Sequence, residues 1–356
     1  MVRLTEQKQV LPATSKSSDV VSVAVIGCGY WGPNLVRNLF EAPASTVSAV
    51  CDLDQERLTG IAKRYPTIAL TTDYREVLRD PDIDAVAIAT PVSTHYRLAK
   101  EALEAGKNVW VEKPLTARYT EAQRLTELAE QKNLVLMVDH VFVYTGAVQR
   151  IRKSIDSAEL GEMLYYDSVR VNLGLLQHDV NVIWDLGVHD FSIVDYLLPQ
   201  RPIAVSAVGA RHIDGGSESI AYVTLHFEEN LIAHFHLNWL APVKIRLTTV
   251  CGSRRMVVYD DTEPSEKVRI YDRGVTVNGS LEDRTRLLVE YRSGDMYAPK
   301  LEQTEALQVA ARHFADCIVN GSRPRTDGEV GSRIVALTEA AQHSLTSGGR
   351  PEKVAW

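Results

Sequence analysis

The chain has 356 residues, of which 45% are hydrophobic, and its 39 basic and 46 acidic residues give a net charge of −7. This length predicts two domains, at ~100–200 residues each. The acidic balance argues against nucleic acid as a partner, because nucleic-acid binding usually needs a basic surface. No apolar run reaches the ~18 residues that cross a membrane, so we expect no membrane partner.

The four cysteines are scattered and form neither a CxxC pair nor a zinc-ligand pattern with histidine. We therefore expect no metal site, no disulfide framework and a reducing, cytoplasmic compartment. Residues 1–19 are polar and predict a disordered leader without a function of its own. Ordered structure is expected to begin at Val20.

Residues 20–144 alternate between buried strands and helices. The strands are VVSVAVIG, TVSAVCD, DAVAIAT, NVWVEK and LVLMVDH, and a helix with an apolar face follows the first of them. Further helices are expected near 54–64, 73–79, 94–105 and 117–132. Repeated βα units of this length predict a parallel sheet covered on both faces, which is the doubly wound Rossmann fold.

Residues 145–356 have a different pattern. A helix is expected at 146–157, a helical block at 182–198, and two closing helices near 301–319 and 327–346. The closely spaced strands between them alternate apolar and polar residues, as in MLYYDSVRVNLG and ESIAYVTLHFEE. This alternation predicts a second domain with an open, mostly antiparallel sheet, so the overall fold class is α/β.

A GxGxxG sequence, Gly27-Cys28-Gly29-Tyr30-Trp31-Gly32, lies between the first strand and its helix. In that context it predicts a dinucleotide site: Gly27 permits a tight turn, Gly29 lets the backbone approach the pyrophosphate, and Gly32 allows close packing of helix on strand. The start of the helix offers N–H groups to phosphate. Tyr30 and Trp31 either line the nicotinamide pocket or pack where the helix meets the second domain.

Asp52 ends the second strand, 20 residues after Gly32. An acid here accepts hydrogen bonds from the adenosine ribose hydroxyls and repels a 2′-phosphate, so the cofactor expected is NAD, with NADP less favoured. The competing interpretation is a loop acid or helix cap.

Two further groups are candidates for the chemistry. Glu112 and Lys113 follow a parallel strand at the sheet edge where ligands bind, and Pro114 makes a cis turn possible; the alternative is a solvated surface turn. Asp185 and His189 are spaced i, i+4, so that the carboxylate can orient the imidazole as a proton acceptor. Gly187 between them suggests close approach of a ligand, and the alternative is a semi-buried structural histidine.

These motifs occur in the order seen in the Gfo/Idh/MocA oxidoreductase family, which the chain resembles from Val20 almost to its end. The matching segments are GCGYWG, Asp52, ATPVSTH at 89–95, EKP at 112–114 and DLGVH at 185–189. The resemblance implies NAD-dependent redox chemistry with Lys113, His189 and Asp185 as catalytic residues. It also implies that Thr90, Pro91, His95 and Glu112 lie on the cofactor side, and that the second domain mediates homodimers or homotetramers.

A narrower likeness to UDP-N-acetylglucosamine-type sugar 3-dehydrogenases implies a sugar or nucleotide-sugar substrate oxidised or reduced at a secondary hydroxyl, plausibly C3. The substrate-side candidates are Arg170, Asn172, Asn181, Tyr144 and Trp239; for Trp239 core packing is favoured. The alternatives are a dehydrogenase or ketoreductase of free sugars, inositols or antibiotic deoxysugars, and a non-catalytic NAD-sensing regulator.

Overall fold

The computed structural model describes residues 20–174, 180–212, 216–278 and 288–356. The leader expected at residues 1–19 lies outside them. The first sheet contains the strands β1 (Val21–Ile26), β2 (Ser45–Cys51), β3 (Ala69–Thr71), β4 (Ala85–Ile88), β5 (Asn108–Glu112) and β6 (Leu136–Asp139). All pairings are parallel, and the order β3-β2-β1-β4-β5-β6 confirms the doubly wound prediction.

Helices cover both faces of this sheet. They are α1 (Gly32–Glu41), α2 (Gln55–Arg64), α3 (Tyr74–Arg79), α4 (Val92–Glu104) and α5 (Tyr119–Lys132). Two of them begin at an aspartate whose carboxylate accepts backbone N–H groups of the first turn: Asp54 at α2 and Asp73 at α3. These caps explain why the chain leaves the strand geometry at those residues.

The second sheet has nine strands among the described residues. They are β7 (Met163–Leu173), β8 (Ala204–Ala210), β9 (Ile220–His226), β10 (Ile232–Asn238), β11 (Leu240–Gly252), β12 (Met256–Asp260), β13 (Val268–Asn278), β14 (Leu288–Tyr297) and β15 (Glu352–Lys353). Their order is β14-β13-β12-β11-β7-β10-β9-β8-β15. Only β7 and β10 pair in parallel, so the sheet is mostly antiparallel, as predicted.

The remaining helices are α6 (Gly146–Asp156), α7 (Val188–Leu197), α8 (Ala306–Asn320) and α9 (Gly328–Thr346). The helical block expected at 182–198 is not uniform, because a π turn, Ile183–Gly187, precedes α7. Gly187 has a structural reason: a Cβ there would lie 3.0 Å from the Leu237 side chain of β10. The close neighbour of this glycine is therefore the sheet.

The C-terminal helices do not stay within the second domain. Helix α8 packs on the first domain, where the Phe314 ring lies 5.6 Å from the ring of Trp110 on β5. Helix α9 contacts both α5 and β8, and Arg333 ties it to Asp195 on α7 through two hydrogen bonds. A boundary at residue 145 thus describes the sheets but not the helix packing.

Gly27 is a position where the turn after β1 requires a glycine for both its backbone conformation and its close packing. Its φ is +99°, and an added Cβ would lie 2.5 Å from the Ala89 carbonyl oxygen. Gly106 has a similar φ of +80° but no heavy atom within 4 Å of the same position. We expect Gly27→Ala to lower the free energy of unfolding by about 1–3 kcal/mol more than Gly106→Ala, because only the first adds a steric clash to the backbone strain. Urea denaturation measures the free energy of unfolding of both variants. Equal losses would contradict the close packing of Gly27 against the loop of Ala89.

Candidate active site

The candidate site lies where the carboxyl ends of β1, β4, β5 and β6 face the π turn and α7 of the second domain. The strand order reverses between β1 and β4, and open α/β sheets bind ligands in the crevice at that point. The loops after these two strands touch, because Gly27 packs on the backbone of Ala89. The motifs of the two halves of the chain therefore meet in one place.

The glycine loop fits a dinucleotide. At Gly29 the position of an added Cβ is open, with a guanidinium nitrogen of Arg57 as its nearest neighbour at 3.8 Å. An approaching pyrophosphate thus meets backbone rather than side chain. Tyr30 and Trp31 contact each other edge-on and are 79% and 46% exposed. Neither ring is buried against the second domain, which argues against the packing interpretation, and a role in the nicotinamide pocket stays a prediction.

Asp52 joins the end of β2 to this loop. One carboxylate oxygen accepts the Cys28 N–H at 2.5 Å, and the other accepts the Asp54 N–H at 2.8 Å. Burial, followed by the charge of Asp52, raises the pKa of the Cys28 thiol to about 12. The Cys28 thiol is therefore uncharged, and the side chain packs within the loop rather than acting as a nucleophile.

His95 holds the loop after β4 in place through hydrogen bonds and does not expose its ring to the cleft. The His95 ring is buried, with its nitrogens 2.8 Å from the carbonyl oxygens of Thr90 and Pro114. Burial lowers the pKa of this imidazole. His95 thus connects the loop of Thr90 and Pro91, at the start of α4, to the cis peptide Lys113–Pro114, and its place on the cofactor side stays a prediction.

Lys113 reaches across the cleft to the second domain. Its Nζ donates to the Asp185 main-chain oxygen at 3.0 Å and to Asp185 Oδ1 at 3.3 Å, and the two side chains are 13% and 22% exposed. Asp185 Oδ2 accepts a hydrogen bond from Trp239 Nε1 at 3.0 Å. Both carboxylate oxygens of Asp185 are therefore bound to Lys113 and Trp239. The expected pairing of Asp185 with His189 is not present, although the residues share a helical block.

His189 is the other chemical group of the cleft. Its Nδ1 is buried without a hydrogen-bond partner among the described residues, and the ring lies 5.0 Å from that of Phe142. Burial, followed by the positive charge of Lys113, lowers the pKa of His189 well below its ordinary value. The imidazole is consequently neutral at physiological pH, so it has an unprotonated nitrogen, while the same burial and charge make it a weaker base than free histidine.

The polar residues predicted to contact substrate are largely engaged by the protein. The buried Arg170 guanidinium pairs with Asp190 at 2.7 Å. The Asn181 side chain accepts two N–H groups of the π turn and donates to Glu218 and Gln342. Of this set, Asn172 stays half-buried at the end of β7.

The two aromatic candidates are also buried. Tyr144 lies in the core of the first domain and hydrogen-bonds Thr326, so it does not reach the cleft. Trp239 packs in the second core, as favoured from the sequence, while its indole N–H supports Asp185.

Sequence reasoning missed Phe142 and Arg246. Phe142 follows β6 and packs against His189, and the Arg246 guanidinium carbon lies 5.6 Å from the Phe142 ring centre. Arg246 is the register partner of Arg170 across β7 and β11. The carboxyl-end rule that pointed to Lys113 also applies to β6 and would have found Phe142, whereas nothing local marks Arg246.

Comparison with known proteins agrees with this geometry. Residues 21–140 match the oxidoreductase family with an NAD-binding Rossmann fold, and residues 148–258 match the GFO/IDH/MocA C-terminal domain. The chain belongs to the Gfo/Idh/MocA family. It is an oxidoreductase whose cofactor is NAD, and its relatives include dehydrogenases that act on hydroxyl groups.

Individual relatives span different shares of the chain. The UDP-N-acetylglucosamine 3-dehydrogenase of Acidithiobacillus ferrooxidans is 27% identical over 88% of this chain and 93% of its own. The scyllo-inositol 2-dehydrogenase (NAD(+)) of Bacillus subtilis is 31% identical over 53% of this chain and 57% of its own. The structure of GenD2 from gentamicin A biosynthesis in complex with NAD shares the fold, with a TM-score of 0.79 and 23% identity over 98% of this chain and all of that one.

Within the described ranges, no cluster of three or more His, Cys, Asp or Glu side chains is arranged to hold a metal ion. None of the helices in these ranges is both long and apolar enough to cross a membrane.

Asp52 gives a test of cofactor choice. Arg57 lies 3.7 Å from Asp52 and 3.3 Å from Asp54, so removing the Asp52 charge leaves a cation beside the expected ribose position. We expect Asp52→Asn to lower the ratio of NAD to NADP affinity about tenfold or more, since a hydrogen bond to a charged group contributes about 1.5–3 kcal/mol. Titration calorimetry measures both affinities. Asp54→Asn is the matched control, and an unchanged ratio in Asp52→Asn would contradict the ribose assignment.

Proposed function

We propose that the protein catalyses reversible hydride transfer between NAD and a secondary hydroxyl of a sugar, in particular C3 of a nucleotide-linked hexose. The observation that carries this proposal is the convergence of a neutral His189 and the Lys113–Asp185 pair beside the dinucleotide loop. A proton acceptor and a cation at one cleft suit the oxidation of an alcohol, which releases a proton and develops negative charge on oxygen. NAD, when bound, supplies the hydride acceptor or donor.

His189 removes the hydroxyl proton in the oxidative direction and returns it in the reductive one. Lys113 hydrogen-bonds the same oxygen: two of the contacts of its ammonium group are made with Asp185, and a third N–H remains to be directed at substrate. Asp185 is then a positioning residue for Lys113. The reverse assignment, with Lys113 as the proton acceptor and His189 as the hydrogen-bond donor, uses the same two groups.

Arg246 supports a substrate that carries a negative group. Asp261 accepts Arg246 at 3.1 Å and Lys267 at 3.3 Å, so two cations share one carboxylate and leave a positive surplus near His189. A diphosphate linked to the sugar would offset that surplus and provide binding energy away from the reacting carbon. The nucleotide-sugar dehydrogenase among the relatives is consistent with such a substrate.

The free-sugar or inositol alternative is favoured by the inositol dehydrogenase relative, which matches about half of the chain. The regulator alternative is weakened because Lys113 and His189 are both present and face one cleft.

We include in the proposal a homodimer or homotetramer. The uncovered face of the second sheet exposes Val208, Tyr222 and Ile232, a surface that a second copy would cover.

The experiment is to mix the protein with NAD and a panel of nucleotide sugars, free hexoses and inositols and to follow the absorbance of reduced nicotinamide. We expect turnover with nucleotide sugars. Lys113→Met and His189→Asn should each lower kcat by roughly 10²–10⁴-fold, the usual contribution of an acid–base group. NAD affinity, measured by calorimetry, should remain within a few-fold.

Lys100→Met is the matched control, because this lysine is exposed on α4 and its ion pair within the described part of the chain is with Glu104. Full turnover by Lys113→Met and His189→Asn would refute the assigned roles. Turnover restricted to free sugars or inositols would support the alternative instead.

Arg246 separates nucleotide-linked from free substrates. We expect Arg246→Gln to raise KM for a nucleotide sugar by roughly 10–100-fold, as loss of a charge-assisted hydrogen bond implies, and to leave KM for the corresponding free sugar unchanged. Arg255→Gln is the control, since Arg255 also pairs with one carboxylate, Glu159, but lies beyond the C-terminal end of β11. Equal effects of Arg246→Gln on both substrates would show that Arg246 does not contact the anionic group.

A further inference from the structure

Two acidic residues end neighbouring strands of the first sheet. Glu112 is the last residue of β5 and Asp139 the last of β6, and the two are register partners in the parallel pairing of these strands. Register partners project from the same face of a sheet, so their carboxyl groups are adjacent. They are only 8% and 4% exposed. The topology thus holds two acids side by side in the interior, and Glu112 immediately precedes Lys113 in the chain.

Several polar atoms in this region have no partner among the described residues. They are Oε1 of Glu112, Oδ1 of Asp139, both ring nitrogens of His140 and Nδ1 of His189. Buried polar atoms are nearly always hydrogen-bonded. Two ionised carboxylates cannot satisfy each other, because neither carries a donor. A proton on one of them supplies the missing donor.

The charge balance also argues against two ionised groups. Among the described residues, Lys113 is the cation that acts on both carboxyls, and it already pairs with Asp185. Full ionisation would set three carboxylates against one ammonium in a region with little water. His140 cannot compensate, because burial, reinforced by Lys113, lowers its pKa to about 3. Tyr144, which also faces Asp139, is neutral because burial raises its pKa.

We propose that Glu112 and Asp139 share one proton at neutral pH, so that the pair presents a single negative charge to Lys113, and that Asp139 is thereby a positioning residue for Lys113. The pair and Asp185 then hold the ammonium group from two domains. This assignment concerns the free protein, and it stands or fails independently of which sugar is the substrate.

Burial supports it by raising the pKa of both groups, with the charge of the neighbouring carboxyl adding to the effect at Asp139. Of two interacting acids, one retains its proton while the other ionises, and the pair titrates as a unit. The shared proton is therefore a property of the pair and is lost when either member can no longer ionise.

The test is infrared spectroscopy of the carboxylic-acid C=O band at neutral pH, with wild type, Glu112→Gln and Asp139→Asn compared as difference spectra. A shared proton predicts a band in the wild type that both single variants lose, because an amide donor replaces the proton and the remaining carboxyl ionises. Two separately ionised acids predict no band in the wild type. Two protonated acids predict that each variant keeps a band. Either of the last two outcomes overturns the proposal.

Glu101→Gln is the matched control, because Glu101 is a half-buried acid hydrogen-bonded to Tyr74 and remote from β6, and its substitution should leave the band in place.

The double variant Glu112→Gln/Asp139→Asn tests the link to Lys113, since it removes the negative charge while keeping the shape of both side chains. Modification of Lys113 by an amine reagent, followed by mass spectrometry across pH, should begin at lower pH in the double variant than in either single variant. An unchanged profile would rule out the positioning role, and no substrate is needed for either measurement.

Discussion

The contact between Lys113 and Asp185 is the interaction on which the geometry of the cleft depends. Lys113 stands at the end of a strand in the first sheet, and Asp185 lies in the π turn that precedes α7. The ammonium group binds both the main-chain oxygen and the carboxylate of this turn, while Trp239 of the second sheet binds the other carboxylate oxygen. A shift of one domain against the other would leave a largely desolvated charge without its partner, which is costly. The relative position of the domains and the charge of the site are thus fixed together.

Burial then separates the protonation states of the groups around this contact. His189 and His140 are surrounded by protein and lie near Lys113, so both are neutral. The cation of Arg170 is matched by Asp190 within the interior and adds little net charge. One cleft therefore contains a neutral imidazole, which can accept a proton, and a separate ammonium group, which keeps its positive charge. That separation allows a proton to be removed from a substrate at the place where negative charge is stabilised.

The fold could be predicted from the sequence because its signals are local. Each strand run, each helical period and the glycine loop can be read from a short stretch of consecutive residues, and the Rossmann sheet and the mostly antiparallel second sheet are as expected. The packing of α8 on the first domain could not be predicted. An apolar helical face shows that a helix packs against something, but the choice between two cores is made by distant residues such as Trp110.

The site was predicted in part for the same reason. Strand ends and spacing made Lys113, Asp185 and His189 candidates, the family resemblance favoured them over the structural alternatives, and the structure brings them into one cleft. The partners of these residues are set by tertiary contacts, and there the expectations were wrong: Asp185 binds Lys113 and Trp239 rather than His189. Arg170 was expected to meet substrate because it is polar on a strand. Its guanidinium is satisfied by Asp190, 20 residues away on a helix.

Asp139, His140 and Phe142 were missed for one reason. The rule that ligands meet the carboxyl ends of parallel strands was applied to β5, yet β6 ends beside it in the same sheet, followed by His140 and Phe142. Polar side chains that the chemistry needs lie at the strand ends of such a sheet. The second domain buries them there and excludes water. The unpartnered atoms of Glu112, Asp139 and His140 are the structural trace of that conflict. A shared proton removes the part that concerns the two acids without any movement of the backbone, because the register of β5 and β6 already places donor and acceptor together.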